Sequence, residues 1–101
     1  MTKRMAPTDR KASILDAAVT VARRHGYSNF RMHHVSTEAG CSNALVVIYW
    51  KTMEQIRRDV MRVAIRERHL DIIATGIALK DPRCRKLPAE LHQAAIDSLT
   101  K

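Results

Sequence analysis

With 101 residues the chain is long enough for one domain with a modest core and too short for two. Lys and Arg number 18 against 10 Asp and Glu, a formal net charge of +8 that is spread along the chain: residues 1–60 hold 10 basic and 5 acidic groups, residues 61–101 hold 8 and 5. That balance favours a polyanionic partner, nucleic acid being the common one, and no apolar run approaches the roughly 18 residues needed to cross a bilayer. Cys41 and Cys84 stand in no metal-ligand spacing, so a reduced cytoplasmic protein without metal or cofactor is expected. The start of the chain is basic but is followed by no hydrophobic region, which is not the pattern of a signal peptide.

Residues 1–7 read as a basic flexible arm in which Lys3 and Arg4 can meet a phosphate backbone or enter a minor groove. A first helix is expected over about 8–25. Pro7 or Thr8 starts it and Gly26 ends it, and Ile14, Leu15, Ala18, Val21 and Ala22 form its apolar stripe. Arg10 and Lys11 lie off that stripe, as phosphate contacts or as solvated surface charges. Tyr27 and Phe30 are assigned to the core.

Residues 31–56 then read as a short helix, a glycine turn and a second short helix. Gly40 supplies the left-handed conformation that stops the first helix within one residue. Ser42 offers its hydroxyl to the orphaned backbone N–H groups of the next helix, over about 43–50. This is helix-turn-helix wiring, in which the second helix enters a DNA groove. His33 and His34 point about 100° apart on a helix and cannot converge on one ion, so solvent-facing histidines are expected and no metal site.

An ordered, ungapped set of residues carries a family resemblance: Ile14-Leu15, Ala17-Ala18, Gly26-Tyr27, Val35, Ala39-Gly40, Ser42, Tyr49-Trp50, Glu54 and Ile56. Residues 10–56 resemble the N-terminal DNA-binding domain of TetR-type bacterial repressors. The resemblance implies that Val46 and Trp50 are buried. It places Ser42, Asn43, Ala44, Leu45, Val47, Ile48, Tyr49 and Lys51 on or beside the face that meets DNA. It also marks departures. The family's helix-capping Ser or Thr is Arg31, its frequent Gly is Ala44, its groove-facing Tyr is Val47 and its phosphate-binding Lys is Met53, with Lys51 a partial substitute.

Arg31 opposes the dipole of the helix it begins, a conflict that an adjacent phosphate relieves, so it is assigned to the DNA contacts and Ser28 or Asn29 to the cap. The reading face is mostly apolar. Asn43 can pair with adenine while its neighbours meet thymine methyls, which favours an A·T-leaning site with much of its affinity from phosphates. The same apolar helix is open to a second reading, as a docking face for a protein partner.

Thr52 and Gln55 form a capping box that opens a long helix over about 53–80, with a stripe of Ile56, Val60, Val63, Ala64, Leu70, Ile73, Ala74 and Ile77 broken at Glu67. The connection 80–88, with two prolines, turns the chain into a short last helix presenting Leu91, Ala94, Ala95 and Leu99. Glu54 and Arg58 are placed for an i, i+4 ion pair. The two helices leave apolar surface over, so residues 53–101 read as a helical hairpin for homodimerisation through Val63, Leu70, Ile73, Ile77, Leu91 and Ala95.

The expected fold is all-α: a three-helix helix-turn-helix unit over 8–52, a long helix and a short C-terminal helix. The expected function is that of a small sequence-specific regulator, a repressor that occupies an operator as a homodimer. Family members carry a further ligand-binding domain, for which the 45 residues after Ile56 leave no room, so control without a small-molecule ligand domain is expected. A cytoplasmic bacterial protein, or one encoded by a mobile element, fits this reading. No Ser/His/Asp order, carboxylate pair or phosphate-cradling glycine loop points to an enzyme.

Overall fold

The structure, a computed structural model, describes residues 7–85 and 87–98. Among them it is helical with short connections and no strand: α1 Pro7–His25, α2 Met32–Ala39, α3 Asn43–Tyr49, α4 Met53–Glu67, α5 Leu70–Ala78, a 3-10 turn Pro82–Cys84, and α6 Ala89–Ser98. Lys3, Arg4 and Leu99 lie outside the described residues. Among the described residues no helix is long and apolar enough to cross a membrane.

Charge and turn chemistry set the bounds of α1. Asp9 lies in its first turn and Arg23, Arg24 and His25 in its last, each sign matched to the helix dipole. Gly26, at φ 99°, turns the chain out of α1, and its carbonyl accepts the N–H groups of Asn29 and Phe30. The α1 stripe, Ile14, Ala18, Val21 and Ala22, is buried between α2 and α4 with Tyr27, Phe30 and Val35. Two ion pairs fasten its C-terminal end, Arg24 to Glu38 on α2 at 2.9 Å and Arg23 to Asp71 on α5 at 3.1 Å.

The stretch 53–80 is two helices rather than one. Arg68 takes a left-handed backbone at φ 59° and ends α4, with the N–H of His69 closing on the carbonyl of Ala64. The pattern break at Glu67 marks this place. A bend there lets α5 lie back over the bundle, packing on α4 and α6 and touching α1. Thr52 caps α4 as expected, its Oγ1 accepting the N–H of Gln55 at 3.2 Å, but the reverse arm from Gln55 Oε1 goes to the N–H of Lys51, one residue earlier than in a standard box. Glu54 does not pair with Arg58. Its carboxylate lies 4.0 Å from Arg83, and Arg58 turns to Asp59.

This arrangement corrects the dimerisation surface. Val63, Ile73, Leu91 and Ala95 are buried inside the single chain, where α5 and α6 cover them, and so are not available to a partner. Leu70 and Ile77 are only half-buried and keep part of their surface. Leu79, which sequence reasoning passed over, is an exposed large apolar residue at the end of α5.

The hairpin is tied to the helix-turn-helix unit by a polar contact as well as by its core. The Tyr27 hydroxyl donates to Asp81 Oδ2 at 2.8 Å and lies 3.1 Å from the carbonyl oxygen of Arg57. Asp81 Oδ1 accepts both the backbone N–H and the guanidinium of Arg83, each at 2.9 Å. Burial alone would raise the Asp81 carboxyl, but these donors outweigh it and hold the group below its ordinary value. Burial, and the hydrogen bond to the Asp81 carboxylate, raise the Tyr27 phenol, which therefore stays a donor.

Candidate nucleic-acid interface

The turn between α2 and α3 is built as the sequence implies. Gly40 adopts φ 70°, and the N–H groups of Gly40 and Cys41 return to the carbonyls of Thr37 and Ser36. Ser42 caps α3, its Oγ accepting the N–H of Leu45 at 3.2 Å. The cap uses the hydroxyl only as an acceptor, at an exposed position.

One face of α3 anchors it. Val46 is buried, as is Trp50 at the C-cap, and Leu45 and Tyr49 are half-buried against the same core. Asn43, Ala44, Val47 and Ile48 face outward, with Ile48 70% and Val47 40% exposed. The reading face is thus narrower than the family pattern implied, because Leu45 and Tyr49 spend much of their area inside.

Asn43 is also less free than expected. Its Oδ1 pairs with the hydroxyl of Ser36, which in turn lies 3.2 Å from the carbonyl oxygen of His33. Ser36 is buried and has one proton to give, which the Asn43 oxygen and the His33 carbonyl share as acceptors. One acceptor site of the Asn43 amide oxygen is engaged, and the second lone pair and the NH2 group are left to face outward.

Trp50 holds the far end of α3. Its Nε1–H donates to Asp59 Oδ2 at 2.8 Å, and the ammonium of Lys11 sits 5.5 Å from its ring centroid. The Arg57 guanidinium lies in the same way 5.8 Å from Phe30. Sequence reasoning missed all three contacts. A buried indole N–H demands an acceptor, and that demand is the one signal that points towards Asp59.

The start of α2 departs from expectation. Neither Ser28 nor Asn29 caps it. Arg31 itself is the extended N-cap residue, and its N–H donates to Nδ1 of His34 at 2.8 Å, half of a capping box with imidazole in place of the usual carboxylate or amide. His34 is therefore only partly solvent-facing. It is half-buried and stacked on His25, with ring centroids 4.0 Å apart and planes 14° apart, and the ring of His33 is 4.2 Å away. Loss of hydration, and then the neighbouring His25, His33 and Arg31, lower its pKa below the ordinary value. Among the described residues no three His, Cys, Asp or Glu side chains are grouped to hold a metal ion.

The cations sort into used and unused. Arg23, Arg24, Arg58 and Arg62 have carboxylate partners, and Lys11 and Arg57 have aromatic ones. Between residues 10 and 62, Arg10, Arg31 and Lys51 have neither among the described residues. They stand near the start of α1, at the start of α2 and just past the end of α3. Arg10 reaches the turn itself, lining a shallow cleft with Ala39, Gly40, Cys41 and Leu45.

Residues 14–60 match the family model described as bacterial regulatory proteins, tetR family. The helix-turn-helix unit belongs to the TetR family. The chain is also similar to the HTH-type transcriptional regulator BetI of Agrobacterium fabrum, at 35% identity over 88 residues. That alignment takes in 87% of this chain, which spans 42% of the length of the relative. No solved structure matches the chain. The family match ends inside α4, so of the contact that ties Tyr27 to the hairpin only Tyr27 lies within the matched segment and Asp81 lies beyond it.

Proposed function

We propose that the chain is a sequence-specific DNA-binding transcriptional regulator, a repressor that occupies its operator as a homodimer. The observation that carries the reading is the outward face of α3, Asn43, Ala44, Val47 and Ile48, on a TetR-family scaffold in which, among the described residues between 10 and 62, Arg10, Arg31 and Lys51 have no carboxylate or aromatic partner. Three unspent charges at the ends of three helices suit phosphates, which fix register, and an apolar face suits thymine methyls, which carry sequence. The relative's name as a transcriptional regulator agrees with this use. Regulation by occupancy excludes polymerase from the operator and requires no catalysis. In the assembly we propose, residues 53–101 pair with a second copy through the surface that Leu70 and Leu79 retain, and the two α3 helices enter half-sites about one DNA turn, ~34–36 Å, apart.

A second reading is favoured by one observation, the 70% exposure of Ile48: α3 docks a protein partner instead of DNA. A mobility-shift assay on the DNA upstream of the protein's own gene, against scrambled DNA at two salt concentrations, separates the two. A discrete, competitor-resistant complex containing two protein chains supports the operator reading. Equal binding to both DNAs, lost at the higher salt, reduces it to a basic surface. No binding at low salt overturns it and leaves α3 to a protein partner.

A further inference from the structure

The hairpin carries a second collection of unspent positive charge, away from α3. Lys80 at the end of α5, Arg85 after the 3-10 turn and His92 on α6 line one cleft of about 270 Å³, together with Ile77, Asp81 and Cys84. None of the three basic side chains has a carboxylate partner among the described residues. The one carboxylate in the wall, Asp81, is turned to other donors, Oδ2 to the Tyr27 hydroxyl and Oδ1 to the backbone N–H and guanidinium of Arg83, whose cation offsets its charge.

We infer that this cleft is a binding site for a small organic anion, its carboxylate held by Lys80, Arg85 and His92 and its short apolar body laid on Ile77 and Cys84. Three elements bring two cations, Lys80 and Arg85, and the imidazole of His92 to one opening, so a single anionic group can meet more than one of them. Desolvation pushes the Cys84 thiol up to about 11, so the floor stays neutral and brings no negative charge of its own. The volume lies just below the ~300 Å³ at which small-molecule clefts usually begin, which restricts the ligand to a few carbons beyond its head group. An apolar floor under a cationic rim distinguishes such an anion from a bare phosphate, which gains nothing from Ile77, and from an organic cation, which the rim repels.

The test is an amide-resolved NMR titration of the full chain, in the absence of DNA, with hexanoate, hexylammonium and inorganic phosphate in parallel. Hexanoate is expected to give saturable shifts confined to the amides of residues 77–85 and to His92. Phosphate should bind the same residues more weakly, and hexylammonium should not shift them. Lys80→Gln and Arg85→Gln, both at exposed positions, should each weaken hexanoate about two- to fivefold while leaving the rest of the spectrum in place. Equal shifts from hexanoate and hexylammonium would overturn the inference, as would the absence of saturation or indifference of hexanoate to both substitutions.

Discussion

Tyr27 and Asp81 meet across 54 positions of sequence, hydroxyl to carboxylate at 2.8 Å, and thereby join the helix-turn-helix unit to the turn that follows α5. Tyr27→Phe keeps the ring in the core and removes only this donor. Hydrogen bonds to charged groups contribute about 1.5–3 kcal/mol, and the thermal midpoint is expected to fall by several degrees. An unchanged midpoint would mean that the hydroxyl is equally well served by water. The same contact sets a pH dependence. Asp81 has a folded pKa below its ordinary 3.8, so its contribution to stability is fully present above that value and is lost as pH falls through the folded value.

His34 sets a second pH window, nearer neutrality. Its pKa in the folded chain lies below the ordinary 6.5, so between the two values the unfolded chain binds more protons. Stability contributed by the neutral ring is therefore complete above pH 6.5 and declines as pH falls through the folded value. Urea unfolding at pH 7 and pH 5.5 should show the loss. His34→Gln keeps an acceptor for the Arg31 N–H but has no proton to gain, and it should flatten the dependence; an equal slope in the variant would move the effect to another group.

If Arg10, Arg31 and Lys51 each meet one phosphate, a dimer neutralises about six, and log K against log salt should run with a slope of about −5. Arg31→Gln removes two of them and should bring the slope to about −4, with affinity falling alike on operator and scrambled DNA. A loss confined to the operator would mean that Arg31 reads a base.

Two neighbours on α3 should behave oppositely. Val46 is fully buried, and Val46→Ala is expected to cost about 1–3 kcal/mol of stability. Ile48→Ser, at an exposed position, should leave stability within about 0.5 kcal/mol and weaken operator binding. Denaturant titration of both variants beside the mobility shift makes the comparison, and destabilisation by Ile48→Ser would show that this face is covered.

Gly76 is fixed by a close approach. A Cβ there would collide with the Met61 side chain and come within 2.9 Å of Cys84 Sγ, both in the buried core. Gly76→Ala is expected to cost about 1–3 kcal/mol by overpacking, read as a lower denaturation midpoint, even though alanine is the better helix former. A rise in the midpoint would show that Met61 can repack.

Much of the fold is legible in the sequence because its signals are local. Gly26 and Gly40 need left-handed backbone, Ser42 and Thr52 are good caps, and the stripes of α1 and α4 keep helical spacing. The break at Arg68 is different. Arginine is a good helix former, and only the interruption of the stripe at Glu67 betrays the bend. Once α5 folds back, residues that a straight helix would have shown to a second chain are covered within the first, which is why Ile73 and Ala95 proved to be core. At the α3 face the boundary is similar. Spacing places Asn43 and Ile48 outward, but that Ser36 claims one acceptor site of Asn43, that His34 caps α2 and that Lys11 sits over Trp50 depend on rotamers in three dimensions.

The Tyr27–Asp81 contact has a consequence for anyone who would move this reader onto another protein. The segment that matches the family stops at residue 60, and a graft cut there would carry Tyr27 away from its carboxylate and split α4 from the hairpin that shields it. The workable seam lies beyond α6, whose Leu91 and Ala95 complete the core, so the portable cassette is about twice as long as the motif that identifies it. A recipient scaffold would inherit the cleft walled by Lys80 and Arg85 along with the helix-turn-helix unit, and the two would travel as one part.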